Sequence, residues 1–200
     1  SSVFFNVLGA EANDEMMEIS QRVSPKLSQT SNNIFLNEKL LARVKSIYDK
    51  KEQLNLSTED AKLLEDLYES FKANGATLNK DDKEKYRKLS MDLSMLTLQF
   101  DQNALKDKNR FELLITDENE LSGLPESARD AAAMLAKSKD KNGWLFNLSA
   151  PSYIPFMRYS DKRDLREKMY REYMSVGNKG DEFDNKDIIK KIVNIRLEIA

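Results

Sequence analysis

The sequence has neither cysteine nor histidine among its 200 residues. Without cysteine the chain forms no disulfide, offers no thiolate nucleophile and holds no metal through sulfur. Without histidine it has no imidazole base, no serine–histidine pair and no nitrogen ligand for zinc. These two absences exclude most hydrolytic mechanisms for the residues of this chain acting alone.

Signals for nucleic-acid or membrane partners are also missing. The net charge of −2 gives no sign of the basic face expected of a nucleic-acid-binding domain. No apolar run approaches the ~20 residues of a membrane span, and no stretch has the pattern of a signal peptide. The hydrophobic fraction of 40% is nevertheless enough for a packed core in one domain or two small ones.

Carboxylates remain as possible catalytic or metal-binding groups, in a Mg²⁺ or Ca²⁺ site or a glycosidase pair. No spacing of acidic residues favours either. The run at 180–187, Gly-Asp-Glu-Phe-Asp-Asn-Lys-Asp, fails the calcium-loop pattern because Phe183 stands where an oxygen ligand belongs. We interpret this run as a solvated loop that leads into a helix cap.

Helical periodicity dominates the first hundred residues. Asn13 or Asp14 can cap a first long helix, which Pro25 should kink or break near 22–24. A second helix is predicted to follow the asparagine pair at 32–33.

The next two helices have clear start and stop signals. Ser57 can cap one helix, and Asn74-Gly75 can end it, because glycine accepts the left-handed conformation. Asn79 can cap a longer helix that extends to about Asp107. Its second half carries two apolar lines, which predicts packing on two sides. The second line consists of Met91, Met95, Leu98 and Leu105.

The apolar pattern then changes to alternation, which predicts two short strands at about 110–116 and 144–148. Pro125 can open a helix between them. Because a two-stranded ribbon is marginal alone, it must lean on the helices.

The segment at 151–173, PSYIPFMRYSDKRDLREKMYREY, is dense in aromatic and basic groups. Pro151 can start a short helix that Pro155 interrupts or kinks, and Ser160 or Asp161 can cap the next helix. Core packing accounts for an apolar line that consists of Leu165, Met169 and Tyr173. Three arginines are either surface and ion-pairing groups or hold a carboxylate bidentately; they are Arg158, Arg163 and Arg166.

These patterns predict a mainly α fold, an elongated multi-helix array with one short two-stranded β element. We divide it into a helical bundle at 1–108, a strand–helix–strand insertion at 109–149 and a helical segment at 150–200. Both ends look cut, because the first residues are already apolar and the final isoleucine-rich helix has no stop signal. We expect the chain to be a segment of a larger protein.

The run at 151–173, followed by NKDIIKKIVNIRLEIA at 185–200, resembles the zinc metallopeptidase family of thimet oligopeptidase, oligopeptidase A and peptidyl-dipeptidase. The shared pattern is a proline-tyrosine segment, an arginine-leucine-arginine helix ending in tyrosines, and an isoleucine-rich helix ending in arginine-leucine. Two earlier segments, at 1–44 and 71–109, are similar to bacterial peptidyl-dipeptidases of the Dcp type. The resemblance spans essentially the whole chain.

This resemblance implies a helical fold around a deep channel, oligopeptide substrates, and a zinc held by a His-Glu-x-x-His helix and a further glutamate. That motif is absent here, so we assign no catalytic, cofactor-binding or metal residue. We expect the chain to be an inactive N-terminal helical region of a cytoplasmic zinc peptidase, without zinc of its own and prone to self-association. Tyr153–Tyr173 is where channel-lining residues should be sought. The alternative is a stand-alone helical interaction module.

Overall fold

The computed structural model describes residues 2–200, apart from the side chain of Glu11. The prediction of a mainly α fold is confirmed, since the described residues form nine α-helices and one two-stranded sheet. The helices are α1 Ser2–Glu11, α2 Asp14–Phe35, α3 Glu38–Tyr48, α4 Thr58–Ala73, α5 Lys80–Arg110, α6 Glu126–Ser138, α7 Ala150–Tyr159, α8 Arg163–Met174 and α9 Lys186–Ile199. Within residues 2–200, no helix combines the length and apolar composition needed to cross a bilayer.

The chain folds as two compact units. The first comprises Ser1–Gln99 and Lys190–Ala200, and the second comprises Phe100–Ile189. The three-part division expected from the sequence, at 1–108, 109–149 and 150–200, is not tested by these units and stays a prediction.

Several helix starts in the first unit lie where their capping side chains predict. The Asn13 side-chain oxygen accepts the Met16 amide at 2.8 Å, and the Ser57 hydroxyl oxygen accepts the Asp60 amide at 3.1 Å. The Asn79 side chain caps α5 in the same way. Each bond satisfies a backbone donor that the first helical turn leaves free.

Two helix boundaries in the first unit differ from those predicted. α2 continues through Pro25, so the break expected near 22–24 does not occur, whereas a kink at that point stays a prediction. The asparagine pair at 32–33 lies inside α2 instead of starting the next helix. Asn37 caps α3, since its side-chain oxygen accepts the Lys39 and Leu40 amides at 3.0 and 3.2 Å.

The first unit has a small aromatic core between α2 and α4. The rings of Phe35 and Phe71 meet edge to face with centroids 5.3 Å apart, and Leu36 and Leu64 are buried. α4 ends at Asn74-Gly75, as predicted. Gly75 has φ +80°, a left-handed conformation that residues with a side chain rarely adopt, so this turn favours glycine.

The prediction of two-sided packing for the second half of α5 is only partly right. Leu98 is buried and Leu105 is half-buried. Met91 and Met95, however, are 39% and 37% exposed. Along this apolar line, the side chains are therefore covered by the rest of the protein only from Leu98 onward.

The second unit is built around the small sheet. Strand β1, Leu113–Ile115, pairs antiparallel with β2, Trp144–Phe146, at the predicted positions. The inner residues of the sheet pack with three helices in one core, and Trp144 lies half-buried at its edge. This core consists of Phe111, Leu113, Ile115, Leu121, Leu124, Ala132, Phe146, Leu148, Phe156 and Met169. Packing against helices supplies the support that a two-stranded ribbon needs.

A buried carboxylate, Asp107, connects the C-terminal part of α5 to the loop after α8. Its side chain is 0% exposed. One oxygen accepts the Gly177 amide at 2.7 Å, and the other lies 2.7 Å from the Arg110 Nε and 3.1 Å from the Lys179 ammonium. Because the carboxylate is fully enclosed, these donors are what make its charge tolerable.

The partners of Asp107 are themselves paired. Lys179 also binds Glu172 at 2.8 Å, and Arg110 also binds Asp181. Burial opposes the charge of Lys179, but its hydrogen bonds to Glu172 and Asp107 outweigh this effect and raise the pKa of Lys179. We call this set the Asp107 network; it comprises Asp107, Arg110, Glu172, Gly177, Lys179 and Asp181.

Asn185 reinforces the same region. Its side-chain amide donates to the Phe100 carbonyl at 3.0 Å, and its side-chain oxygen accepts the Asn103 amide at 3.1 Å. Its backbone amide donates to the Gly177 carbonyl at 2.7 Å. Polar contacts therefore join α5, the loop at 175–185 and the start of α9.

We predict that Asp107→Asn lowers the free energy of unfolding by about 2 kcal/mol, because it removes the charge that binds Arg110 and Lys179. Urea denaturation followed by far-ultraviolet circular dichroism measures the change. Asp92→Asn, an exposed position on the same helix, is the matched control and should change stability by less than about 0.5 kcal/mol. Equal effects of the two substitutions would contradict the role of the network.

Candidate functional site

Two stacked tyrosines bring together the two ends of the segment at 151–173. Tyr153 of α7 and Tyr173 of α8 have ring centroids 4.3 Å apart and an interplanar angle of 17°. Tyr153 packs against the core of the second unit, whereas Tyr173 is 43% exposed. Burial raises the pKa of Tyr153, with a further contribution from Tyr173 and Tyr170. Both phenols thus act here as packing groups.

The predicted apolar line on α8 is correct for two of its three members. Met169 is buried in the core, and Leu165 packs against it. Tyr173 leaves the core and covers Tyr153 instead.

The start of α7 is confirmed to within one residue, since the helix begins at Ala150 and Pro151 lies in its first turn. α7 continues through Pro155, so the helix is not interrupted there, whereas a kink at Pro155 stays a prediction. Neither Ser160 nor Asp161 occupies the cap position of α8. The Asp161 carboxylate accepts the Ser122 hydroxyl at 2.7 Å and its amide donates to the Ser122 carbonyl at 2.9 Å, so this residue anchors the loop before α6.

Arg163 and Arg166 line an open cleft of about 410 Å³ beside α8, and Arg158 does not. We call this the arginine cleft; it is lined by Met157, Arg163, Arg166, Glu167, Tyr170 and Arg171. The α8 residues recur at intervals of three, one, three and one, which places them on one face of the helix. The guanidinium of Arg158 instead lies 5.5 Å from the Tyr159 ring centroid.

The acidic run at 180–187 forms the loop predicted to lead into α9. Its carboxylates already bind groups of the protein: Asp184 accepts the Gly180 and Lys186 amides at 2.7 and 2.9 Å, and Asp181 binds Arg110. The hydrogen bond from Arg110 is the main cause that lowers the pKa of Asp181. The loop is not wholly solvated, since Asn185 is buried.

The residues present do not fit the zinc site that the resemblance implies. The sequence has no histidine or cysteine. Among residues 2–200, leaving aside the Glu11 side chain, no three acidic side chains come together in a way that could hold a metal ion. No residue of the described chain is therefore assigned to metal binding.

The Asp107 network is the feature that the sequence did not reveal. Asp107 stands between two lysines near the end of a charged helix, where a solvated position is the ordinary expectation. Its partner Gly177 lies 70 residues further along the chain. In the sequence near Asp107, the indication of an ion pair was Arg110, which lies three residues later on the same helix.

Comparison with known proteins gives relatives over nearly the whole chain. No protein-family model matches it. It is 32% identical to a dipeptidyl carboxypeptidase of Escherichia coli over 201 residues, which is 100% of this chain. It is 33% identical to oligopeptidase A of Salmonella typhimurium over 190 residues, and 33% identical to a protein of Arabidopsis thaliana named "Probable cytosolic oligopeptidase A" over 193 residues. Each of these two matches covers 93% of this chain.

The matches cover much less of the relatives themselves. The chain spans 30% of the Escherichia coli protein, 28% of the Salmonella protein and 27% of the Arabidopsis protein. The similarity therefore concerns a region equal to about three tenths of each relative.

Proposed function

Because the chain belongs to the peptidase family of oligopeptidase A and dipeptidyl carboxypeptidase, we propose that it is a helical region of a longer enzyme that hydrolyses peptide bonds in short, unfolded peptides. The similarity that extends along the whole chain carries this proposal. The partial coverage of each relative supports the view that further sequence completes the enzyme. Its partners would be oligopeptide substrates, and its location would be cytoplasmic, as the name of the Arabidopsis relative suggests for that protein.

We further propose that this region is not itself catalytic and that the zinc of the complete enzyme is bound elsewhere. The support is chemical. The chain has no histidine or cysteine, and the aspartates of its acidic loop are already bound to backbone amides and to Arg110. The role of the region would be to shape and support the path of the peptide to the reaction centre.

The second candidate is a stand-alone helical interaction module. It is favoured by the exposed apolar residues of α9, where Val193 and Leu197 are 49% and 71% exposed and lie one helical turn apart. In a longer enzyme the same face would be covered by further sequence. In a module it would be the surface that binds a partner helix.

We predict that the reading frame continues past Ala200 and encodes His-Glu-x-x-His within the next few hundred codons. The physical reason is that zinc hydrolysis requires ligands that this chain lacks. Sequencing of the source DNA downstream of Ala200 checks this. A stop codon near Ala200, or a long continuation without the motif, would exclude the peptidase proposal.

We also predict that the isolated chain neither retains zinc nor cleaves peptides. After incubation with zinc and extensive dialysis, elemental analysis should find far less than one zinc per chain. Liquid chromatography should show unstructured oligopeptides intact, with and without added zinc. A mock purification from cells that lack the gene controls for contaminating peptidases. Stoichiometric zinc, or zinc-dependent cleavage above that control, would contradict the non-catalytic assignment.

A third experiment separates the two candidates. If the α9 face is normally covered by further sequence, the isolated chain should self-associate, and Leu197→Lys should reduce this in sedimentation velocity. Asn194→Lys adds the same charge to α9 outside the apolar positions and serves as the control. A monomer that unfolds cooperatively in the unmodified protein would favour the stand-alone module.

A further inference from the structure

The arginine cleft has the size and form of a small binding site. Its volume of about 410 Å³ lies within the range of ~300–1,000 Å³ that is usual for ligand sites. One wall is the Met157 side chain of α7, which packs against the core, and the rest is the exposed face of α8. Tyr170, which is 49% exposed, adds an aromatic ring.

The charges in the cleft do not cancel. Glu167 is its one acidic residue, and the guanidinium of Arg171 binds it at 2.6 Å. That pair leaves Arg163 and Arg166 without a carboxylate partner in the described structure. The cleft is thus locally positive in a chain whose net charge is −2.

The two remaining arginines are available to a ligand in different ways. Arg166 donates one N–H group to the Ser160 carbonyl, which fixes its position and leaves other donors of the guanidinium free. The side chain of Arg163 is exposed and forms neither a hydrogen bond nor an ion pair with residues 2–200. Two such groups three residues apart on a helix can each hold a carboxylate through two parallel hydrogen bonds.

From this arrangement we infer that the arginine cleft binds a peptide segment through its carboxylate groups. Arg163 and Arg166 bind the carboxylates, while Met157 and Tyr170 contact the apolar parts of the peptide. A peptide fits better than a nucleic acid, because the cleft offers only two unpaired cations, beside a methionine and a tyrosine, whereas nucleic-acid binding depends on many phosphate contacts. This inference concerns the chain itself and holds whether or not the chain is part of a peptidase.

The test is isothermal titration calorimetry of the purified chain with two probes. N-acetyl-tetraglutamate amide presents side-chain carboxylates only, and N-acetyl-tetraalanine with a free C-terminus presents a terminal carboxylate only. We expect binding of the glutamate probe that weakens as salt is raised. Comparable binding of the alanine probe would identify the terminal carboxylate as a further ligand of the same cleft, because it too would depend on Arg163.

Arg163→Gln should weaken the binding of tetraglutamate about tenfold, because it removes one charge-assisted bidentate contact. The fold should be unaffected, since Arg163 has no partner to lose. Arg158→Gln removes the same charge from the second unit outside the cleft and should leave the affinity within about twofold. This matched control separates a local site from general electrostatic attraction.

Three results would overturn the inference. The first is the absence of detectable binding by the unmodified chain at millimolar tetraglutamate. The second is an equal loss of affinity in Arg163→Gln and Arg158→Gln. The third is equal or tighter binding of N-acetyl-tetraglutamine amide or of a four-nucleotide thymidine strand, which would assign the cleft to uncharged peptides or to phosphates instead.

Discussion

The enclosed charge of Asp107 is the constraint on which the second unit depends. A carboxylate with no exposed surface is tolerated only while Gly177, Arg110 and Lys179 all remain in place. Those partners lie in α5 and in the loop after α8, and two of them bind further carboxylates. The network therefore fixes the position of the loop, and with it the end of α8 and the start of α9. Apolar packing organises the sheet and the helices around it, whereas the loop after α8 is held by hydrogen bonds and ion pairs as well as by the packing of Val176 against the core.

Features that depend on short-range chemistry could be predicted from the sequence. The caps at Asn13, Ser57 and Asn79 follow from side chains that reach amides three residues away. The pairing of the two strands follows from alternation of apolar residues. Predictions failed where a local rule had several candidates. Asparagines occur at 32, 33 and 37, and only the last caps a helix. Proline was given too much weight as a helix terminator, because α2 and α7 both continue through one.

In the candidate site, too, the local features could be predicted from the sequence and the contacts between distant residues could not. The density of arginine and tyrosine at 151–173 was visible in the sequence, and so was the helical spacing of Arg163 and Arg166. That Arg158 points elsewhere and that Arg171 neutralises Glu167 emerged only from the structure. The Asp107 network could not be predicted, because Gly177 and Lys179 lie 70 and 72 residues further along the chain and the nearby Arg110 does not by itself reveal that Asp107 is buried. The family, in contrast, was recognisable from segments spread along the whole chain.

The position of the chain's one tryptophan has a practical consequence. Trp144 lies in β2, half-buried at the edge of the core of the second unit, and the first unit has no indole at all. Tryptophan fluorescence therefore reports on the unfolding of the second unit and not on that of the first. Far-ultraviolet circular dichroism reports on the helices of both units. Comparing the two unfolding curves distinguishes simultaneous unfolding of the units from unfolding one after the other, without any added label.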